Sequence, residues 1–347
     1  MHAAPIEVAA SHLKGELVNV EFARSRLISD HPVRMGGTGK GPSPGELLLA
    51  GLLASSAMHA QAAARRAGLP VRTVVARGVF RSDLLRMAGP LPVIAFLGHL
   101  RRRIEFHGAL DPSHASALAA CVADEPIARR LREPAQLDES VELRTSTAER
   151  RPVEQPSSGT LGTVRLAESN PSGSLKTGAS EAGWRISATS LGDGALVQLP
   201  NQILFAGGGD GGPTPIELLL GGLAACTAIY AGRNAILNRI PLEAVSVRVH
   251  APASLERIAK ATEIRGNLRP GEFETLKYCA DHCALGETLL RGMVISDDIA
   301  TVASVGEASD PRTALARAAP HPSAADCDDG SCCIPESAGA VAGARCA

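Results

Sequence analysis

Aromatic residues are scarce, with one Trp, two Tyr and six Phe in 347 residues. The cores must therefore be built from Leu, Ala, Val and Ile, within an apolar share of 45%. An excess of charge of either sign is also missing, because 35 Lys and Arg stand against 36 Asp and Glu. That balance excludes a basic nucleic-acid footprint and a polybasic block suited to an anionic membrane. The opening stretch MHAAPIEVAASHLKGEL has no charged segment leading into a long apolar run, so no signal peptide is expected. The longest apolar stretches, Leu47–Ala60 and Leu218–Ala231, fall short of the ~20 residues a bilayer-crossing helix needs and suit buried core helices. A soluble, cytoplasmic chain is the expectation. Its eight cysteines then read as reduced thiols (metal ligands, redox centres or small core residues) and not as a disulfide framework. Neither a phosphate-binding glycine loop nor a zinc motif of standard spacing occurs in the part expected to fold, so no cofactor and no metal are expected.

What the chain does have is a repeat. Gly41–Ala60 reads GPSPGELLLAGLLASSAMHA and Gly212–Ala231 reads GPTPIELLLGGLAACTAIYA, in register without a gap at a spacing of 171 residues. Solenoid units are far shorter, so this is a duplicated domain. Each matched segment follows a Gly-rich turn and alternating, strand-like sequence. Downstream, Val71–Phe80 corresponds to Leu242–His250 as a period-two strand. A helical segment follows in each copy, LDPSHASALAACVADEPIARRLREP and LRPGEFETLKYCADHCALGETLLRG, and a last strand closes each, Ser140–Thr147 and Val294–Val302. The pattern per copy is strands, long helix, strands, helix, strand, which predicts an α+β class with helices on one face of an antiparallel sheet. The expected organisation is a first copy over 1–150, a Pro/Gly/Ser-rich linker over 151–176, a second copy over 177–306 and a disordered tail over 307–347.

Ser43-Pro44-Gly45-Glu46 and Thr214-Pro215-Ile216-Glu217 each fit a capping box with proline at the first helical position. The helices they open are apolar nearly all round, so each should be central and buried on most sides. Each helix would pack naturally against its twin.

With these residues in view the chain resembles the OsmC/Ohr family of thiol-dependent peroxide reductases. The resemblance is carried by G-P-[ST]-P-x-E-L-L-L, by the A-A-C-T turn at Ala224–Thr227, and by a second cysteine in Cys283-Ala-Leu-Gly-Glu-Thr-Leu. It covers roughly 15–150 and 176–306, once each. It implies two tandem OsmC-like domains, each an antiparallel sheet with a long central helix and a second helix, packed as a pseudo-dimer within one chain with sites at the interface. It further implies that Cys226 is the peroxidatic cysteine and Cys283 the resolving one, which condenses with the sulfenic acid to a disulfide. Copy one departs from this at both positions, with Ser55 in place of Cys226 and Glu125 in place of Cys283. A serine cannot cycle through sulfenic acid, so copy one is expected to serve only as the other half of the pair.

Supporting residues are less sharply marked. The family activates its thiol with an arginine from an N-terminal hairpin, and Arg24, Arg26, Arg34 and Arg185 all lie in suitable segments. Glu46 and Glu217 read as capping-box members. If the twin helices run antiparallel, Glu46 would also lie near Cys226 and could orient the activating arginine. The family's functional glutamate falls one residue earlier, where this chain has Gly45 and Ile216. Cys279 and Cys283, four apart on one helix, would share a face. Because Cys121 takes the Cys279 position in the copy without a thiol pair, packing explains Cys279 more simply than metal binding. His282 reads as a surface histidine, and Arg101–Arg103 and Glu149–Arg151 as solvated or loop charge.

The expected function is thiol-dependent reduction of a small-molecule organic hydroperoxide, with a dithiol as reductant and neither nucleic acid nor membrane as partner. The alternatives are a non-peroxidatic thiol protein that binds soft metal or metalloid ions or electrophiles, and a purely structural domain pair. Four cysteines, Cys327, Cys332, Cys333 and Cys346, crowd the end of the tail. The 27 residues from Val305 to Cys332 reach roughly 25–30 Å as a flexible chain. The tail thiols could thus reduce the Cys226–Cys283 disulfide, or capture a soft ion.

Overall fold

Period-two alternation dictates the strands. Val18 and Val20 in one, Val245, Val247 and Val249 in another, are buried while their neighbours face outward, as the pleat requires. The computed structural model describes residues 5–86, 93–146, 186–207 and 212–303. The linker, Arg185 and the tail with Cys327, Cys332 and Cys333 lie outside the described residues, as do Glu149–Arg151 and the side chain of Arg34.

Copy one runs β1 (Ile6–Lys14), β2 (Leu17–Glu21), β3 (Arg26–Ser29), α1 (Pro44–Arg66), β4 (Val71–Arg86), β5 (Val93–Gly108), α2 (Ala115–Ala123), α3 (Pro126–Arg132) and β6 (Gln136–Thr145). Copy two repeats it as β7 (Ile186–Leu191), β8 (Gly194–Gln198), β9 (Ile203–Gly207), α4 (Pro215–Leu237), β10 (Leu242–Ala251), β11 (Arg257–Gly266), α5 (Pro270–Asp281), α6 (Ala284–Arg291) and β12 (Val294–Ala303). The strands form two six-stranded sheets in the orders β3-β2-β1-β10-β11-β6 and β12-β5-β4-β7-β8-β9. Each sheet draws strands from both copies. The first meander of copy one extends the sheet of copy two (Val8 opposite Val249), and β7 of copy two pairs with β4 of copy one (Ala188 opposite Ala76).

The structure corrects two expectations about each copy. The sheets are mixed, because β6 runs parallel to β11 and β12 parallel to β5. The second helix is in fact two short ones, broken at Asp124–Glu125 and at His282–Cys283. Cys279 and Cys283 therefore do not share a helix face.

Both capping boxes form, with Ser43 and Thr214 accepting from the Glu46 and Glu217 amides and each glutamate carboxylate accepting from its cap's own N–H. A cap of this kind is worth ~1 kcal/mol. The helices they open are 23 residues each, long and apolar enough to cross a membrane by length and composition, so the sequence stretches understated them. Here they are core helices, with Leu47, Leu52, Leu53, Leu218, Leu219 and Leu223 fully buried. They lie antiparallel and in close contact through two glycines. A Cβ on Gly51 would sit 2.4 Å from Pro215 O, and one on Gly222 would sit 2.7 Å from Pro44 O. The two contacts exchange under the repeat, so a pseudo-twofold passes between the helices.

Candidate functional site

Antiparallel packing brings the start of α1 to the middle of α4, and a cavity of about 470 Å³ opens there. Its wall includes His31, Glu46, Phe80 and Leu97 from copy one, and Cys226 and Leu285 from copy two. Cys226 is 8% exposed and Cys283 is fully buried, so Cys226 meets the cavity and Cys283 stands behind it. The two thiols are close enough to act on each other's titration.

The helix break gives Cys283 its position. It is the N-cap of α6, and its Sγ accepts the Gly286 N–H at 3.4 Å. The Thr227 hydroxyl, one residue beyond Cys226, lies 3.3 Å from the same sulfur and 3.1 Å from Leu223 O. Lys260, 1% exposed on β11, donates to Ala280 O at 2.6 Å and pairs with Glu139 of β6. The neighbouring Cys226 thiol holds the Cys283 thiol below its ordinary pKa against the opposing effect of burial, with the Lys260 charge, Thr227 and the Gly286 amide assisting. The neighbouring Cys283, with burial, pushes Cys226 well up. Burial works against the Lys260 ammonium, but the Cys283 and Glu139 charges together hold it above its ordinary value. Burial alone drives Cys279 up to about 12, which suits an inert packing residue.

Among the described residues no arginine lines the cavity. Arg24 and Arg26 are exposed, and Arg24 borders a different pocket with Glu217. Glu217 is occupied by the Thr214 amide at 2.6 Å and the Ala23 amide at 3.2 Å. Glu46 accepts the Ser43 amide at 2.7 Å and also reaches the cavity wall. His31 is held by Glu16 at 2.9 Å, and Arg233 reaches both Glu16 and Met35 O, which ties the loop of copy one down over the site. His282 is partly exposed and bonds Glu287 at 2.9 Å.

Copy one keeps the frame and changes the chemistry. Glu125 caps α3, accepting from the Ile127 and Ala128 amides at 3.0 and 2.7 Å and from the Ser55 hydroxyl. Arg102 donates to Glu125 at 3.2 Å, to Ser56 at 2.7 Å, and to both oxygens of Asp297 at 2.8 and 2.9 Å. Arg102 is fully buried, which corrects its reading as solvated charge. The signal was in the alternation, since Arg102 is in phase with Leu100, Ile104 and Phe106, all buried. Lys260 is likewise in phase with Ile258 and Ile264, and no motif drew attention to it.

The family model described as OsmC-like protein matches residues 207–296. That stretch of the second copy is similar to the OsmC-like family. The match takes in α4, Cys226, Cys283 and Lys260. No curated protein matches the chain. Two solved structures align with about a third of it. One, from Psychrobacter arcticus 273-4, is described as osmotic stress induced and of the detoxification response, at 18% identity over 35% of this chain and 83% of its own, with a TM-score of 0.25. The other is an OsmC-like protein from Mycoplasma pneumoniae, at 16% identity over 34% and 82%, again with a TM-score of 0.25. At those values the assignment of the OsmC-like copy rests on the family match.

Proposed function

We propose that the chain reduces organic hydroperoxides through Cys226 and Cys283. The observation that carries this is the placement of Cys226 at the wall of an apolar cavity with a second, fully buried thiol behind it that acts on its titration. Phe80, Leu97 and Leu285 would accept the hydrocarbon body of a hydroperoxide, and Cys226 would meet its O–O bond. The Cys226 thiolate attacks the terminal oxygen and releases an alcohol. Cys283 then condenses with the Cys226 sulfenic acid, and the oxygen leaves as water. A dithiol, external or from the tail, restores the pair by exchange in a reducing cytoplasm. Copy one has no thiol at Ser55 and supplies walls for the site. As for soft-ion binding, the described residues contain no group of three or more side chains able to hold a metal.

Cumene hydroperoxide with dithiothreitol as reductant tests the reading. One equivalent should consume two thiols and give a Cys226–Cys283 disulfide on peptide mapping. Cys226→Ser should abolish turnover, and Cys283→Ser should give no disulfide, so that whatever sulfenic acid forms on Cys226 stays for dimedone to trap. Full turnover in Cys226→Ser would end this assignment.

A further inference from the structure

The two sites can be laid over each other residue by residue, because one spacing of 158 residues relates Glu125 to Cys283, Arg102 to Lys260, Ala128 to Gly286 and Asp297 to Glu139. In copy one the first of these is a carboxylate, which accepts two amides of its helix and pairs with a buried guanidinium. In copy two Cys283 accepts the matching amide, at Gly286, beside a buried ammonium. The frame is built around an anion at this position, and copy two fills it with sulfur. By contrast Cys226 corresponds to Ser55, which donates its proton to that anion.

We infer that Cys283 rests as the thiolate, with Lys260 as its counter-cation, and acts as the base that takes the Cys226 proton when hydroperoxide enters. This rests on the peroxidase reading for its second half only. A close thiol pair sharing one proton gives up the first easily and the second with difficulty, and its neighbours decide which sulfur keeps the proton. The titratable groups that act with Cys283 are Cys226 and Tyr230 on α4, Lys260 on β11 and Glu139 on β6, while Asp281 on α5 acts on Lys260 and Glu139. Lys260 is the cation among them, with Glu139 and Asp281 partly offsetting it. The Leu285 amide approaches Cys226, so a charge that moves forward to Cys226 also finds a backbone donor.

The proton count closes. Cys226–SH hands its proton to the Cys283 thiolate, and the Cys226 thiolate then attacks the hydroperoxide. The O–O bond breaks, Cys226 becomes the sulfenic acid, and the departing alkoxide takes the proton back from Cys283 as an alcohol. Cys283, a thiolate once more, attacks the sulfenic sulfur and expels hydroxide, which takes a proton from solvent. The hydroperoxide is reduced by two electrons and the thiol pair oxidised by two. Cys283 is thereby base, acid and resolving nucleophile in one cycle, and Lys260 is a positioning residue.

Thiolate absorbance near 240 nm, followed against pH on the full chain without peroxide, tests this directly. Cys226→Ser should keep a thiolate that forms below neutral pH, because the introduced hydroxyl can still donate to Cys283, and Cys283→Ser should lose it. Loss of that thiolate in Cys226→Ser, or its retention in Cys283→Ser, overturns the inference. Lys260→Gln should move the midpoint up by about one pH unit or more, and Lys260→Arg, which introduces the cation type of the twin site, should leave it in place. An unchanged midpoint in Lys260→Gln overturns the role of Lys260. Turnover is scored separately. The expected titration without turnover sinks the peroxidase reading and the base role with it but leaves the resting Cys283 thiolate standing, whereas turnover with the low-pH thiolate on Cys226 sinks this inference alone.

Discussion

A carboxylate and a thiolate are both anions, but only the thiolate can give up electrons, so on the proposed function the exchange of Glu125 for Cys283 would separate structural from redox work at a single position. In copy one the cost of burying Arg102 is met by Glu125, Asp297 and Ser56 together. Removing one partner of such a buried pair typically costs 3–5 kcal/mol. Glu125→Ala should therefore lower the unfolding free energy by ~3–5 kcal/mol in urea, with little change in thiol chemistry at Cys226. The Cys283 thiolate inferred for copy two would have a pH signature instead. Cys283 is held below its ordinary pKa when folded, so between that value and ~8.5, where a free cysteine titrates, the unfolded chain binds the extra proton. Stability should then rise with pH across the neutral range, by up to ~1.4 kcal/mol per unit. Above ~8.5 it should fall, because Cys226 keeps its proton in the fold and loses it outside. Cys283→Ser should flatten the rise, read by urea melts at pH 6, 7 and 8, and an unaltered slope would contradict a folded-state thiolate. At this scale the sequence marks the two cysteines, Ser55 and Glu125, because a repeat makes exceptions visible. It hides Lys260 and Arg102, because a charged side chain on an inward strand position looks like surface until its partners, Glu139 and Asp297 on distant strands, are known.

The long helices were legible as elements because everything that starts them is local: the cap, the proline and the glutamate lie within four residues. Their antiparallel contact has a local mark too, in Gly51 and Gly222, which repeat at the same point of the motif. Adding a methyl at Gly222 forces it against Pro44 O and Leu48 N at 2.7 and 3.1 Å. Gly222→Ala should cost about 1–3 kcal/mol by overpacking and shift the start of α1, which forms part of the cavity wall. Gly271 on α5 has nothing within 4 Å of such a methyl, so Gly271→Ala is the matched control and should be neutral or slightly stabilising. Equal effects for the two would argue against a tight helix contact. The break before α6 had a readable cue that sits in the other copy. Pro126 follows Glu125, and the residue before a proline is pushed out of the helical region. Cys283 has no proline after it, yet takes the same extended backbone, with φ −74° and ψ 155°.

Strand pairing is the part that no local pattern could supply, since alternation fixes which face a residue takes and leaves the neighbouring strand open. Here the neighbours are exchanged. β1 leans on β10, β7 on β4, and each closing strand runs parallel to a strand of the opposite copy. Neither copy therefore holds a complete sheet. Expressed alone, residues 1–150 would expose the edge of β1 that β10 covers and the edge of β4 that β7 covers. Unpaired edges of this kind seek another chain. Residues 177–306 alone would face the same need, and a second molecule of the same segment could answer it through the pseudo-twofold. The expected outcome for 177–306 is a homodimer by light scattering, and for a protease nick in the linker it is two fragments that stay together under native conditions. Co-expressed halves should reassemble and regain hydroperoxide turnover, because His31, Glu46, Phe80 and Leu97 come from one half and both cysteines from the other. A folded, monomeric 177–306 with full turnover would mean that the interlocked sheets are not needed to build the site.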